Sequence, residues 1–190
     1  DLRRAKNAIE EINKVLQRAF EREQLASRTD SLTGIFNRRY FFELLDYEFS
    51  VTTRYGRPLS IVMFDIDHFK QINDMYGHLV GDKVLQLVAK TTRSKLREAD
   101  VIARYGGDEF VILLPNSQSQ EAYVVLERIC KSILSSKLTA KKKKIPISIS
   151  VGIASYHSGM KNTSHLMQQA DQALYSAKQA GRGRIFISSE

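Results

Sequence analysis

Val101-Ile102-Ala103-Arg104-Tyr105-Gly106-Gly107-Asp108-Glu109-Phe110-Val111-Ile112-Leu113-Leu114 sets two apolar runs around a glycine pair. Such runs on either side of Gly-Gly read as strands joined by a tight hairpin, because glycine reaches the positive φ angles of the turn without penalty. Working outward, Leu59 to Ile66 is a compact apolar run, the pattern of a strand covered on both faces. Ile145, Ile147, Ile149, Val151 and Ile153 alternate with Pro146, Ser148, Ser150, Gly152 and Ala154. That alternation predicts a strand with one bulky face and one face of small residues, on which a helix can lie close. Asn37 can cap a helix with core face Phe41, Leu44, Leu45 and Phe49, ending before Gly56 and Pro58. After a loop punctuated by Gly77 and Gly81, Val84, Leu85, Val88 and Leu96 trace a second helix. A third runs from about Gln120 to Leu138, and Leu166, Ala170, Ala173, Leu174 and Ala177 mark a fourth, ended by Gly181. Ile185 to Ile187 can close the sheet. The fold class is α/β, an α+β sandwich of ferredoxin-like type, with helices flanking a mainly antiparallel sheet of about five strands.

The chain has 190 residues, enough for one domain, and its 43% hydrophobic content excludes a disordered polymer. Its single cysteine, Cys130, excludes an intrachain disulfide and a cysteine-built zinc site, and its spacing with Leu126, Ile129 and Ile133 reads as helix core. No apolar run reaches the ~20 residues of a membrane span and no basic-then-apolar signal segment opens the chain. The expectation is a soluble, cytoplasmic domain without membrane contact. The chain begins at Asp1 without an initiator methionine, which reads as a piece of something longer, whose missing N-terminal part could carry an anchor.

Residues 1–28 stand apart from residues 29–190. They lack Pro and Gly, and Leu2, Ala5, Ile9, Ile12, Leu16, Ala19 and Ala26 recur in steps of three and four, interrupted by Glu23. This stripe predicts a coiled-coil helix pairing with its own copy. An amphipathic helix lying on its own domain satisfies the same periodicity. Asp30-Ser31-Leu32-Thr33-Gly34 then breaks the helix.

Asp65 and Asp67 end the most hydrophobic strand, where a carboxylate costs several kcal/mol to desolvate unless it finds a cation or donors. The strand period puts both on the side of Ile61 and Met63, although the solvated end of a strand or a cap of the next turn would also place acids there. Asp108 and Glu109 follow the glycine pair, where backbone without Cβ lets a phosphate or metal approach. Two separated acidic strand ends supply the hard oxygen ligands of two-metal phosphoryl chemistry.

The string Arg104-Tyr105-Gly106-Gly107-Asp108-Glu109-Phe110 resembles the signature of the GGDEF family, the diguanylate cyclases. DSLTGIFNRRYF from Asp30, FDIDHFKQIND from Phe64, GHLVGD from Gly77 and ADQALYSAKQAGR from Ala170 agree with it in order and spacing, so the resemblance covers about residues 29 to 188. It implies condensation of two GTP molecules into cyclic di-GMP with release of two pyrophosphates. It further implies that Asp65, the backbone carbonyl of Ile66 and Asp108 hold two Mg2+ ions per site, with Mn2+ as a substitute. Asp108 would take the proton of the attacking 3′-hydroxyl, with Glu109 as a metal or hydroxyl partner. Lys70, otherwise a solvated lysine, would offset transition-state charge.

Asn73, His78 and Asp82 resemble the substrate residues, with Asn and Asp reading the guanine edge. Without the family, Asp82 after Gly81 reads as a helix cap and His78 as a loop histidine. The resemblance also implies that Gly106 and Gly107 line the substrate site. Lys178 and Arg182, on a stripe with Asp171 and Tyr175, match the pair that reaches the terminal phosphates. Arg97 and Asp100, three apart and otherwise an exposed ion pair, match an inhibitory RxxD product site, with Arg128 as its secondary arginine. The implied partners are GTP, cyclic di-GMP, a second copy of the chain and an upstream sensor.

The alternative is a non-catalytic GGDEF module that binds GTP or cyclic di-GMP. A net charge of +8, with Lys141 to Lys144 in a row, also invites a nucleic-acid reading. The lysine run is more simply a solvated hairpin tip, and the expectation is no nucleic acid.

Overall fold

Leu59–Ile66 runs through the middle of the sheet and feeds alternate side chains into two separate cores. The computed structural model describes residues 28–140 and 143–188, together with Lys6, residues 11–15, Gln17 and Glu23. The elements run β1 (Phe36–Asn37), α1 (Arg38–Tyr55), β2 (Leu59–Ile66), α2 (Phe69–Tyr76), α3 (His78–Arg93), β3 (Val101–Gly106) and β4 (Glu109–Pro115). Then follow α4 (Ser119–Leu134), β5 (Thr139–Ala140), β6 (Lys143–Lys144), β7 (Ile149–Ser155), α5 (Thr163–Gln179) and β8 (Ile185–Ile187). The main sheet has the order β1-β3-β4-β2-β7-β8. Its inner pairs are antiparallel, and its two edge strands, β1 and β8, pair in parallel. The expected mixed α/β sandwich is therefore present, with a two-residue edge strand beyond the five that periodicity marks.

Val62, Phe64, Ile66, Phe110 and Ile112 face one core, closed by Val84, Leu85 and Val88 of α3 and Leu126, Ile129 and Ile133 of α4. Phe64 and Phe110 are register partners and stack with centroids 5.1 Å apart, a pair worth about 1 kcal/mol beyond its buried area. Ile61, Met63, Val111 and Leu113 face the other core, under Phe41 and Leu45 of α1 and Leu166, Ala170 and Leu174 of α5. Asn37 caps α1 as read, its side chain accepting the Tyr40 N–H.

Several readings of the sequence need correction. Phe69–Tyr76 is a helix rather than loop, and Gly81 lies inside α3, which starts at His78. The third expected helix stops at Leu134, and the second stops at Arg93, short of Leu96. The strand expected from Ile145 begins at Ile149; Ile145 and Ile147 are fully buried, so their alternation reports burial outside the ladder. Among residues 1–28, Leu2, Ala5, Ile9, Leu16, Ala19 and Ala26 lie outside the described residues. Of the stripe, Ile12 is helical and 59% exposed, as is neighbouring Val15, so neither is laid on the domain. Lys141 and Lys142 also lie outside the described residues; Lys143 and Lys144 form the exposed β6 of a small hairpin. Among the described residues no helix is long and apolar enough to cross a membrane.

The small face of β7 has the use expected of it. A Cβ built on Gly152 lands on the Ala170 carbonyl oxygen and the Leu174 backbone nitrogen of α5. Backbone cannot yield as a flexible side chain can, so Gly152→Ala is expected to cost about 3 kcal/mol. The measurement is the urea midpoint of unfolding, and an unchanged midpoint would refute the close approach of α5 to the sheet.

Candidate active site

Register brings the acids together. Asp65 pairs with Glu109 across β2 and β4, and the Ile66 N–H donates to the Asp108 carbonyl at 3.3 Å. The β3–β4 ladder shifts between Arg104 and Gly106, and Gly107 turns the chain with φ +44°. Gly106 has no positive φ, and a Cβ on it would meet nothing within 4 Å. The packing of the domain therefore places no demand for glycine at 106.

Close approach of α5 carries Lys178 to this corner, where its Nζ lies 3.0 Å from Asp65 Oδ2. Burial pushes the Asp65 carboxyl above its ordinary pKa; the Lys178 hydrogen bond opposes that, and the charges of Asp108 and Glu109 add to it. One lysine therefore does not balance three neighbouring carboxylates.

A second cation, Arg104, holds the hairpin turn. Arg104 donates Nε and Nη2 to the Gly107 carbonyl at 3.0 and 2.8 Å, and Nη1 to both oxygens of Asp30 at 3.3 Å. Asp30 is also bonded by the Thr33 N–H and hydroxyl. Burial would raise its pKa, but Thr33 and Arg104 outweigh that and hold it below the usual carboxylate range. Arg38 stacks on the Tyr105 ring at 4.4 Å, tying the same turn to α1. Both Asp30 and Arg104 stand in quoted motifs, yet no sequence spacing says that they meet.

Asn73, His78 and Asp82 gather at the α2–α3 junction. Gly77, at φ +87°, turns the chain between the helices, and its N–H closes on the Asn73 carbonyl at 2.8 Å. A Cβ on Gly81 would strike the Asn73 side-chain oxygen, so glycine at 81 is what admits the amide. That oxygen is buried without a hydrogen-bond partner, an orphan acceptor that costs stability unless a ligand or water meets it. His78 begins α3 and Asp82 follows four residues later on the same helical side, inside the helix, which removes the cap reading of Asp82. Lys70 is exposed on the first turn of α2.

Asp67 is not a free acid. It is 4% exposed and accepts from the Ser150 hydroxyl at 2.6 Å, the Ser148 hydroxyl at 2.7 Å and the Gly183 N–H at 3.0 Å. Arg182 lies beyond the end of α5 rather than on its stripe, at φ +62° between two left-handed glycines.

The RxxD residues lie past the other end of α3, a helix about 24 Å long. Asp100 is buried, and its carboxylate caps the turn by accepting the Arg97 N–H at 2.8 Å, so no surface ion pair forms. Arg93 Nη1 donates to the carbonyls of Arg97 and Asp100, and Arg128 Nη2 donates to that of Lys95 at 3.0 Å. Arg97 and Arg128 thus fringe one braced turn, with the Arg97 side chain exposed.

Among the described residues no three His, Cys, Asp or Glu side chains gather as a metal cage. The donors at the Asp65 corner are oxygens, and their negative charge is only partly balanced. This suits magnesium, which takes one or two carboxylates and completes its shell with water and substrate phosphates.

Residues 27–184 match the model of the diguanylate cyclase GGDEF domain. The chain is 42% identical over 188 residues to diguanylate cyclase A of Treponema denticola, covering 96% of this chain and 51% of that protein. It is 40% identical to diguanylate cyclase DgcP of Pseudomonas aeruginosa, covering 96% of this chain and 27% of that one. The chain therefore spans about half or less of the relatives' lengths. Among solved structures, the coiled coil and GGDEF domain of DgcB from Caulobacter crescentus, in complex with c-di-GMP, superposes with a TM-score of 0.90 at 30% identity, over 97% of each chain. Diguanylate cyclase SiaD of Pseudomonas aeruginosa, in complex with its activator SiaC, superposes with a TM-score of 0.82 at 34% identity, over 98% of this chain and 73% of that one. A model match across most of the chain, on a sheet whose central strand ends meet at the Gly106-Gly107 turn, places this chain in the GGDEF domain family of diguanylate cyclases.

Proposed function

We propose that the chain is the catalytic domain of a diguanylate cyclase, joining two GTP molecules into cyclic di-GMP and releasing two pyrophosphates. The observation that carries this reading is the meeting of Asp65 with Asp108 and Glu109 across two strand ends, with charge that Lys178 alone does not balance. Asp65, the Ile66 carbonyl, Asp108 and Glu109 would hold the divalent cations. Bound there, the ions supply Lewis acidity at the α-phosphate and offset the charge of the leaving pyrophosphate.

The chain's own groups divide the rest. Asp108, on the open turn, accepts the 3′-hydroxyl proton. Lys178 and Arg182 bind the terminal phosphates, Lys178 exchanging its contact with Asp65 for one with phosphate, and Lys70 offsets charge at the transition state. The bare backbone of Gly106 leaves room for the substrate over the turn. Asn73 and Asp82 read guanine: the carboxylate accepts from the ring N–H and exocyclic amine, and the orphan oxygen of Asn73 gains a partner. His78, at the rim of the same junction, borders this site.

One domain holds one GTP, and the product has two phosphodiester bonds, so two sites face each other across a two-fold axis. Residues 1–28, whose described apolar side chains Ile12 and Val15 are exposed, would pair with a second copy and relay the state of an upstream sensor; residues 29–190 form the catalytic unit. Arg97 and Arg128, on the turn that Asp100 braces, would bind cyclic di-GMP as feedback inhibitor.

Purified protein with GTP and magnesium is expected to release cyclic di-GMP and pyrophosphate, and Asp108→Ala to lose at least ~100-fold in rate. No product from a demonstrated dimer would overturn the assignment. Arg97→Ala is expected to leave the initial rate unchanged and to keep producing where wild type stalls. An identical stalling concentration would remove Arg97 from the inhibitory site.

A further inference from the structure

The loop after α5 is held in an unusual shape. Gly181, Arg182 and Gly183 take φ values of +107°, +62° and +59°, three left-handed residues in succession. Two are glycines that accept this freely; Arg182 is not, and a non-glycine residue there stores strain that surrounding contacts must offset. Part of the restraint is helical, since the Arg182 N–H closes on the Ala177 carbonyl at 3.1 Å. The rest comes from across the sheet. The Gly183 N–H reaches Asp67 Oδ2 at 3.0 Å and the Ser150 hydroxyl at 3.2 Å, while the Ser148 and Ser150 hydroxyls fix the two oxygens of Asp67. Arg184 then starts the parallel ladder, its carbonyl accepting the Val151 N–H.

We propose that Asp67 is a positioning residue for the triphosphate: it fixes the Gly181–Arg182–Gly183 loop and thereby aims the Arg182 guanidinium at the phosphates beside Lys178. The proposal rests on the reading of Arg182 as a phosphate ligand. Closing a sheet edge does not require a carboxylate. Burying a carboxylate is costly, and the three donors converging on this one bond it more strongly than they would a neutral acceptor. Two residues before it in the chain stands Asp65, so one strand end serves the reaction twice. Asp65 faces the substrate, and Asp67 holds the arm that grips the far end of the same molecule.

The test is a double-mutant cycle on the full chain, reading the affinity for 3′-deoxy-GTP, which cannot be joined, and for GMP, which lacks the terminal phosphates. Asp67→Asn keeps the shape of the side chain but sets an amide N–H2 against a donor. Alone it is expected to weaken 3′-deoxy-GTP about tenfold and to leave GMP unchanged. In the Arg182→Ala background the same change is expected to cost less than about twofold, because the group it aims is gone. Equal losses in both backgrounds, or a matching loss for GMP, would make Asp67 merely structural and overturn the proposal. Full affinity of Arg182→Ala alone would overturn it from beneath, by removing Arg182 from the phosphate site. Should Asp67→Asn not fold, Ser148→Ala, which removes one donor, is read through the same cycle.

Discussion

A carboxylate at the end of a buried strand is the constraint around which this domain is arranged. Asp65 continues the side of β2 that Ile61 and Met63 bury; burial raises its pKa, and the nearby charges of Asp108 and Glu109 raise it further against the opposing Lys178. A sequence selected for stability alone would place an apolar or small residue there. The surrounding structure brings what cation it can: Gly152 lets α5 settle on the sheet, and the settled helix delivers Lys178 to Asp65. Packing on one face of β7 thus sets electrostatics at the end of β2.

The same economy appears at the turns. Gly107 is required by its φ and Gly81 by the Asn73 side chain, whereas Gly106 answers to no demand inside the domain. Arg104 reaches from the Gly107 carbonyl to Asp30, whose own carbonyl closes the Asp30–Gly34 turn. Displacing Asp30 therefore acts on the turn carrying Asp108. The buried acids Asp67 and Asp100 serve alike, each accepting a backbone N–H from an arginine-bearing loop, Gly183 for the one and Arg97 for the other.

The hairpin was legible because β-branched runs around Gly-Gly have few alternative readings, and the small face of β7 because Ser150, Gly152 and Ala154 keep strict alternation. The helix α2 was not: in FKQINDMY only Ile72 is buried, too little periodicity to read. Ile145 and Ile147 alternate like strand residues because they are buried, although the backbone there leaves the ladder. Asp82 looked like a cap because Gly81 looked like a break; the glycine answers instead to Asn73, across the α2–α3 junction. Among candidate site residues, the acids and glycines were legible from the chemistry of their types. The Asp30–Arg104 and Asp67–Gly183 contacts were not, since they join residues 74 and 116 positions apart.

The proposal that the carboxylates at the β2 and β4 ends form a cation site, held at a cost in stability when no cation is bound, is tested most directly by thermal unfolding of wild type and Asp108→Asn. Without divalent cations the variant is predicted to melt above wild type, because a repulsive charge beside Asp65 is gone. With magnesium and 3′-deoxy-GTP at about a hundred times their Kd, wild type is predicted to gain about 5 °C and the variant far less. A variant that melts below wild type without cations and gains as much with them would contradict the account.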